Sequence, residues 1–246
     1  MKLQKETKSL QIEPKPLKTH GRWYDDACGT AFGLEVLGER WAMLILRELL
    51  FGPRRFSDLR ATLPGISAKV LTERLEGLIG WGVVEQVRLA APASGRAYGL
   101  TPWGYQAEDV IMELGRWAAR SVLHDPRLPL SNASLMSSMR TMQLPGPMAR
   151  AADMTIGMVL GAEEFRNELA GGVFSNGRGP VAGCDAVLRA SGARPIAGAL
   201  YADVPLARLE SEAGLEVEGD RALVETFLTL FALPPKTAPK THSSRS

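Results

Sequence analysis

From Thr30 onward the chain alternates apolar and polar residues mainly at helical spacing. Leu34 and Leu37 stand one turn apart. After Gly38, Trp41, Leu44, Ile45 and Leu49 follow i, i+3, i+4, i+8, the stripe of a stronger amphipathic helix that Gly52 and Pro53 stop. Phe56, Leu59 and Leu63 mark one face of a short helix, with Ser57 and Asp58 as its cap and first-turn acid, and Pro64–Gly65 end it at once. Ser67 can cap the next helix, in which Leu71, Leu75 and Leu78 share a side. The pattern then changes period: "VVEQVRL" and "AYGL" read as two strands around the turn "AAPASGR". Thr101 and Pro102 open a last helix with Ala107, Ile111, Leu114 and Ala118 on one face. Further on, a Met-rich helix over Leu135–Met142 precedes short apolar segments separated by glycines, and "DRALVETFLTLF" closes as a helix. Strands enclosed by helices predict an α+β arrangement with an antiparallel sheet.

Composition adds boundaries. The 246 residues are 45% hydrophobic and 23% charged, enough for a sizeable core. No apolar run reaches the roughly 18 residues of a membrane span. Lys2, Lys5, Lys8, Lys15 and Lys18 make residues 1–20 a basic arm without apolar period, and residues 235–246 read as a polar tail. Between them the expected units are 21–122, a linker at 123–133 containing two prolines, and 134–234. The net charge is +2, with twelve basic and twelve acidic residues between 21 and 121, so any positive field there is local. The two cysteines, Cys28 and Cys184, are too few and too far apart for a disulfide framework, which fits a reducing, cytoplasmic setting.

Two short helices joined by a tight turn and followed by a β-hairpin form the winged helix-turn-helix arrangement, whose second helix enters the DNA major groove. With Leu71, Leu75 and Leu78 buried, Ala68, Lys69 and Thr72 face outward. They make a small, basic surface that can approach base edges: Lys69 to a guanine, Thr72 and Ala68 to a thymine methyl. Arg54 and Arg55 stand where the first helix begins and suit a phosphate, and Arg96 can reach one from the hairpin. Ser57, Ser67 and Arg74 complete the candidate DNA-binding set. Such geometry also occurs in helical bundles that bind no DNA.

Residues 24–121 closely resemble the HxlR-type bacterial transcriptional regulators. The resemblance rests on Cys28 before the first helix, "GERW" at 38–41, "ILREL", "GPRRFSDL", "GIS", "LTERL" and "LTPWG" at 100–104. It implies a winged-helix homodimer on double-stranded operator DNA, with the first and last helices of two subunits packed together. The second half resembles a smaller, sterol-carrier-protein-like domain, chiefly over residues 215–231. That likeness implies an apolar tunnel for a hydrophobic effector, lined by Leu135, Met139, Met158, Leu160, Phe165, Phe174, Phe227 and Phe231, although apolar residues of a small sheet ordinarily form core.

Cys28 invites a redox reading, since a thiol at a helix N-terminus can ionise more easily, although Asp25 and Asp26 oppose the thiolate. Cys184 reads as a strand residue. His20, His124 and His242 all lie in tails or linker, so no enzyme, cofactor or metal site is expected. A lipid-binding or interaction protein whose winged helix touches only protein is the reading of a different class.

Overall fold

The computed structural model describes residues 24–89 and 95–237. The expected basic arm, the hairpin tip and the chain beyond residue 237 lie outside them. Lys236 and Thr237, expected in the polar tail, are held instead: Lys236 Nζ donates to the Ala119 and Ser121 carbonyls at 2.9 and 3.1 Å. The Thr237 N–H donates to the Arg120 carbonyl at 2.7 Å. A lysine there complements the carbonyl end of a helix. Among the described residues no helix is long and apolar enough to cross a membrane.

The first half holds α1 (Gly29–Leu37), α2 (Ala42–Leu49), α3 (Phe56–Thr62), α4 (Ala68–Gly80), the hairpin β1 (Val84–Leu89) and β2 (Gly95–Leu100), then α5 (Pro102–Tyr105) and α6 (Glu108–Ala119). Ser67 caps α4, accepting from the Val70 N–H at 3.2 Å, and Thr101 caps α5. Trp41, expected inside the second helix, sits before it with φ 82°, a left-handed conformation uncommon for a bulky residue. The buried stripe of α2 is therefore Ala42, Ile45, Leu46 and Leu49, and Leu44 is exposed. Leu34 on α1 and Leu114 on α6 are exposed too. Ser57 is not the cap of α3: Arg55 holds that position, and the Ser57 hydroxyl bonds Asp58.

The second half holds α7 (Asn132–Thr141), α8 (Pro145–Met148), β3 (Met154–Leu160), β4 (Glu163–Ala170), β5 (Val173–Arg178), β6 (Ala186–Ala190), α9 (Ala193–Tyr201), α10 (Leu206–Ala213), β7 (Glu216–Gly219) and α11 (Arg221–Leu228). Ser131 caps α7 and Asp220 caps α11. The sheet order is β5-β4-β3-β6-β7, and it is mixed rather than antiparallel because β6 pairs with β3 in parallel. The meander β3-β4-β5 ends on one side of the sheet, and residues 179–185 must carry the chain back across β3 before β6 begins. They cross at Gly157, where an added Cβ would lie 2.7 Å from Val181 Cβ and 3.1 Å from Val187 Cγ2. Cys184 lies in this crossing, not in a strand.

Buried apolar residues run without a break from α2, α3 and α4 through α7 into the sheet and α11. Leu135, Met139, Met158, Leu160, Phe165, Phe174, Phe227 and Phe231 all belong to this core, and their exposures of 8% or less leave no open tunnel wall. Phe174, Phe227 and Phe231 pack as an aromatic triangle with centroids 5.0 to 6.2 Å apart, and Phe165 meets Phe51 of the first half edge to face at 6.1 Å.

Gly157→Ala should destabilise the protein by about 1–3 kcal/mol through overpacking against Val181. Urea unfolding checks this, and an unchanged midpoint would show that the crossing has slack.

Candidate nucleic-acid interface

The helix-turn-helix is α3, the turn through Pro64 and Gly65 (φ 91°), and α4. Leu59, Leu63, Ile66, Leu71, Leu75 and Leu78 are buried and fix the two helices together. On the opposite side Ser67, Ala68, Lys69, Thr72, Glu73 and Glu76 are exposed. Lys69 is 86% exposed and reaches Glu73 only at 4.0 Å, a contact too loose and solvated to hold it. The Thr72 hydroxyl donates to the Ala68 carbonyl at 3.0 Å, which turns its methyl outward. The N-terminal turn of α4 thus presents a small surface with a single cation.

The arginine pair before α3 divides. Arg54 and Tyr98 exchange two backbone hydrogen bonds at 2.9 and 2.8 Å, adding one extended residue to the edge of the wing. Successive residues of an extended chain point to opposite sides. Arg54 therefore turns inward, to 7% exposure, with Nη2 2.8 Å from Glu163 Oε1. It cannot serve a phosphate while it does so, which corrects the sequence expectation. Arg55 takes the other side, its guanidinium close to Gly95 at the start of β2. Arg74 departs as well: it donates to the Arg40 carbonyl at 3.2 Å and pairs with Glu39 at 2.9 Å, tying α4 to the turn after α1.

On the wing, Arg96 stands directly across from Arg88, both exposed. Like charges at directly opposed positions destabilise a hairpin. Neither meets a carboxylate among the described residues, so the strand pair gathers positive charge beside the helix-turn-helix. Arg88 escaped the sequence reading because its partner becomes visible only once the register is known. Gly104 of "LTPWG" has a packing reason: a Cβ there would stand 2.1 Å from the Val83 carbonyl oxygen, which the Thr101 N–H also uses.

Behind this surface the first half is fastened to the second through charge. Glu163 also receives Arg178 at 2.5 Å and the Asn132 amide at 2.7 Å. Glu48, fully buried, takes Arg47 at 2.8 Å and the Ser131 hydroxyl at 2.6 Å. Arg140 of α7 lies over the Phe51 ring at 4.6 Å, donates to Asn176 and pairs with Glu108 of α6.

Cys28 is the exposed residue before α1. The backbone N–H of Thr30, the Thr30 hydroxyl and the N–H of Ala31 lower its pKa by favouring the thiolate, although the thiol itself makes no cap hydrogen bond. This outweighs the opposition expected of Asp25 and Asp26. Burial raises the pKa of Cys184.

The geometry is that of a winged helix-turn-helix, and the sequence comparisons say which kind. The HxlR-like helix-turn-helix family matches residues 36–125. The chain is 36% identical to the uncharacterized HTH-type transcriptional regulator YvaP of Bacillus subtilis over 85 residues, 35% of this chain and 79% of that protein. This chain belongs to the HxlR-like helix-turn-helix family. The HTH-type transcriptional regulator YodB of the same organism is 39% identical over 89 residues, 36% of this chain and 78% of that one. Its reduced form, a solved structure, aligns with a TM-score of 0.36 at 34% identity over 40% of this chain and 98% of that one. A regulator of Mycobacterium tuberculosis, MT3179, is 38% identical over 96 residues, 39% of this chain and 59% of that protein. The HxlR-like match ends at residue 125, so the site built on α3, α4 and the wing falls wholly within it.

Alkylation followed by mass spectrometry over a pH series should modify Cys28 half-maximally below the roughly 8.5 of an unperturbed thiol, and Cys184 above it. Thiolate forms as pH rises through each pKa, so equal profiles would contradict the two environments.

Proposed function

We propose that this HxlR-like protein is a cytoplasmic, homodimeric transcriptional regulator that binds double-stranded operator DNA and answers to a small molecule. The observation that carries DNA binding is the small, exposed first turn of α4, with Lys69 and Thr72 outward, next to a wing whose two arginines oppose each other. Lys69, Thr72 and Ala68 read base edges, while Arg55, Arg88 and Arg96 bind phosphates and fix the register. Dimerisation is supported by apolar side chains that face solvent: Val110, Leu114 and Trp117 share one face of α6, Trp117 at 73% exposure, and Leu34 of α1 is exposed as well. A second subunit covering these helices brings two recognition helices onto one operator. The order of helix, glycine-punctuated sheet and closing helix supports a sterol-carrier-like second half, with regulation rather than catalysis as its role.

A second reading is favoured by the exposed, easily ionised Cys28: oxidation or electrophile addition there changes DNA affinity through α1. In that case release from DNA by peroxide disappears in Cys28→Ser, and its persistence there rules the thiol switch out.

Fluorescence anisotropy with the protein's own upstream DNA tests the main reading. Arg55→Ala should lower the slope of log affinity against log salt by about 0.9, the loss of one phosphate contact. Arg54→Ala should leave the slope unchanged and lower the unfolding temperature instead. If Lys69→Ala, Arg55→Ala and the wild type all bind no better than to random DNA, operator binding is refuted. Trp117→Glu should yield monomers in sedimentation and weaken binding at least tenfold.

A further inference from the structure

The aromatic core of the second half is closed, but the seam between the halves is not. A cleft of about 510 Å³ opens between α6, α7 and α9, roofed by the segment that joins the halves. Its size is that of a drug-sized ligand site. A second cleft of about 530 Å³ lies on the other side of the same segment, and Pro126, Leu128, Leu130, Ala197 and Tyr201 line both. The connection therefore crosses α9 as a strap over one longer trough.

The chemistry of the first cleft is specific. Ile111, Ala119, Met142 and Leu130 give it apolar walls. Each charged lining group is already compensated: Arg47 by Glu48 at 2.8 Å, and Asp125 by Arg127 at 2.8 Å. His124 tends to neutrality, its pKa lowered by burial and by Lys236. No lining side chain carries an uncompensated charge. The polar groups are hydroxyls on one face of α7, Ser134, Ser137, Ser138 and Thr141, opposite Tyr201. Ser138 Oγ donates to the Leu135 carbonyl at 2.8 Å, so the Tyr201 hydroxyl, 2.8 Å away, must be the donor to Ser138. That leaves the phenolic oxygen as an acceptor for a ligand hydroxyl. Ser137, 5% exposed, has a hydroxyl with no partner among the described residues.

We propose that this cleft is the effector site, that it takes an uncharged amphipathic small molecule carrying a hydroxyl group, and that occupancy resets α6 against α7. Gly115 and Ile111 of α6 form one wall, and α7 and α9 form the other. The far face of α6 carries Val110, Leu114 and Trp117, so a ligand that shifts α6 shifts the dimer surface with it. The proposal rests on the reading that this regulator answers to a small molecule and moves the site from the sheet core to the seam.

The experiment uses the full chain with Nile red, an uncharged dye that brightens in apolar surroundings, and three competitors: 2-naphthol, naphthalene and 2-naphthoate. At Gly115 an added Cβ meets only Thr141 Cγ2, at 3.9 Å, so Gly115→Leu grows into the cleft and also improves helix propensity. It should weaken dye binding at least tenfold without lowering the melting temperature, while Phe227→Leu, in the core, changes it less than twofold. In the wild type 2-naphthol should displace the dye at least tenfold better than naphthalene or 2-naphthoate, and Tyr201→Phe should erase the advantage over naphthalene. If Gly115→Leu binds normally and Phe227→Leu does not, the site lies in the core: the seam is refuted and the small-molecule reading stands. If the wild type neither binds the dye nor changes its operator affinity with any naphthalene, both fail.

Discussion

One carboxylate draws together two guanidinium groups, the buried one of Arg54 and the partly exposed one of Arg178. Glu163, the first residue of β4, receives Arg54 from the helix-turn-helix and Arg178 from β5, and partial burial, followed by the charge of Arg54, lowers the pKa of Arg178. Glu48 supplies a fully buried negative charge and is itself held by Arg47 and by Ser131, the cap of α7. Such a group of charges contributes little net stability against apolar residues of the same shape, but removing one member is costly. Its consequence here is positional: α7, β4 and the entry to α3 can meet in only one register.

That register determines what remains for DNA. Because Arg54 is committed to Glu163, the proposed phosphate contacts near α3 pass to Arg55 and the wing, and the first turn of α4 remains the proposed base-reading surface. The same seam sets α6 between two constraints. On its inner face Arg116 donates to the Thr141 carbonyl at 3.2 and 3.0 Å and Glu108 pairs with Arg140. On its outer face the apolar stripe awaits a partner. In the proposed mechanism a helix held this way carries a change in the second half to the proposed dimer contact without any change in the proposed DNA-reading residues.

Much of the first half was legible because local chemistry and packing agree there. Leu71, Leu75 and Leu78 at helical spacing, Ser67 as cap, Pro64–Gly65 as break and Thr101–Pro102 as a helix start each act within a few residues. Leu34, Leu44 and Leu114 obey the same periodicity yet are exposed: spacing tells which residues share a face, not whether core or another surface covers it. Arg54 and Arg55 are chemically identical, and only the pairing of Arg54 with Tyr98, 44 positions away, decides which turns inward. The parallel β3–β6 pair and the cleft under the strap depend on the path of residues 179–185 and 126–130, which carry no periodic signal. At Cys28 the N–H groups at the start of α1 favour the thiolate, an orientation that counting the acidic neighbours Asp25 and Asp26 does not reveal.

The two halves, joined at the Glu163 seam, are expected to unfold together. All five tryptophans precede residue 118, so their fluorescence follows the first half, whereas far-UV ellipticity follows both. Guanidinium unfolding monitored by the two signals should give a single transition with coincident midpoints. Two separated transitions, with fluorescence unchanged while part of the ellipticity is lost, would contradict it.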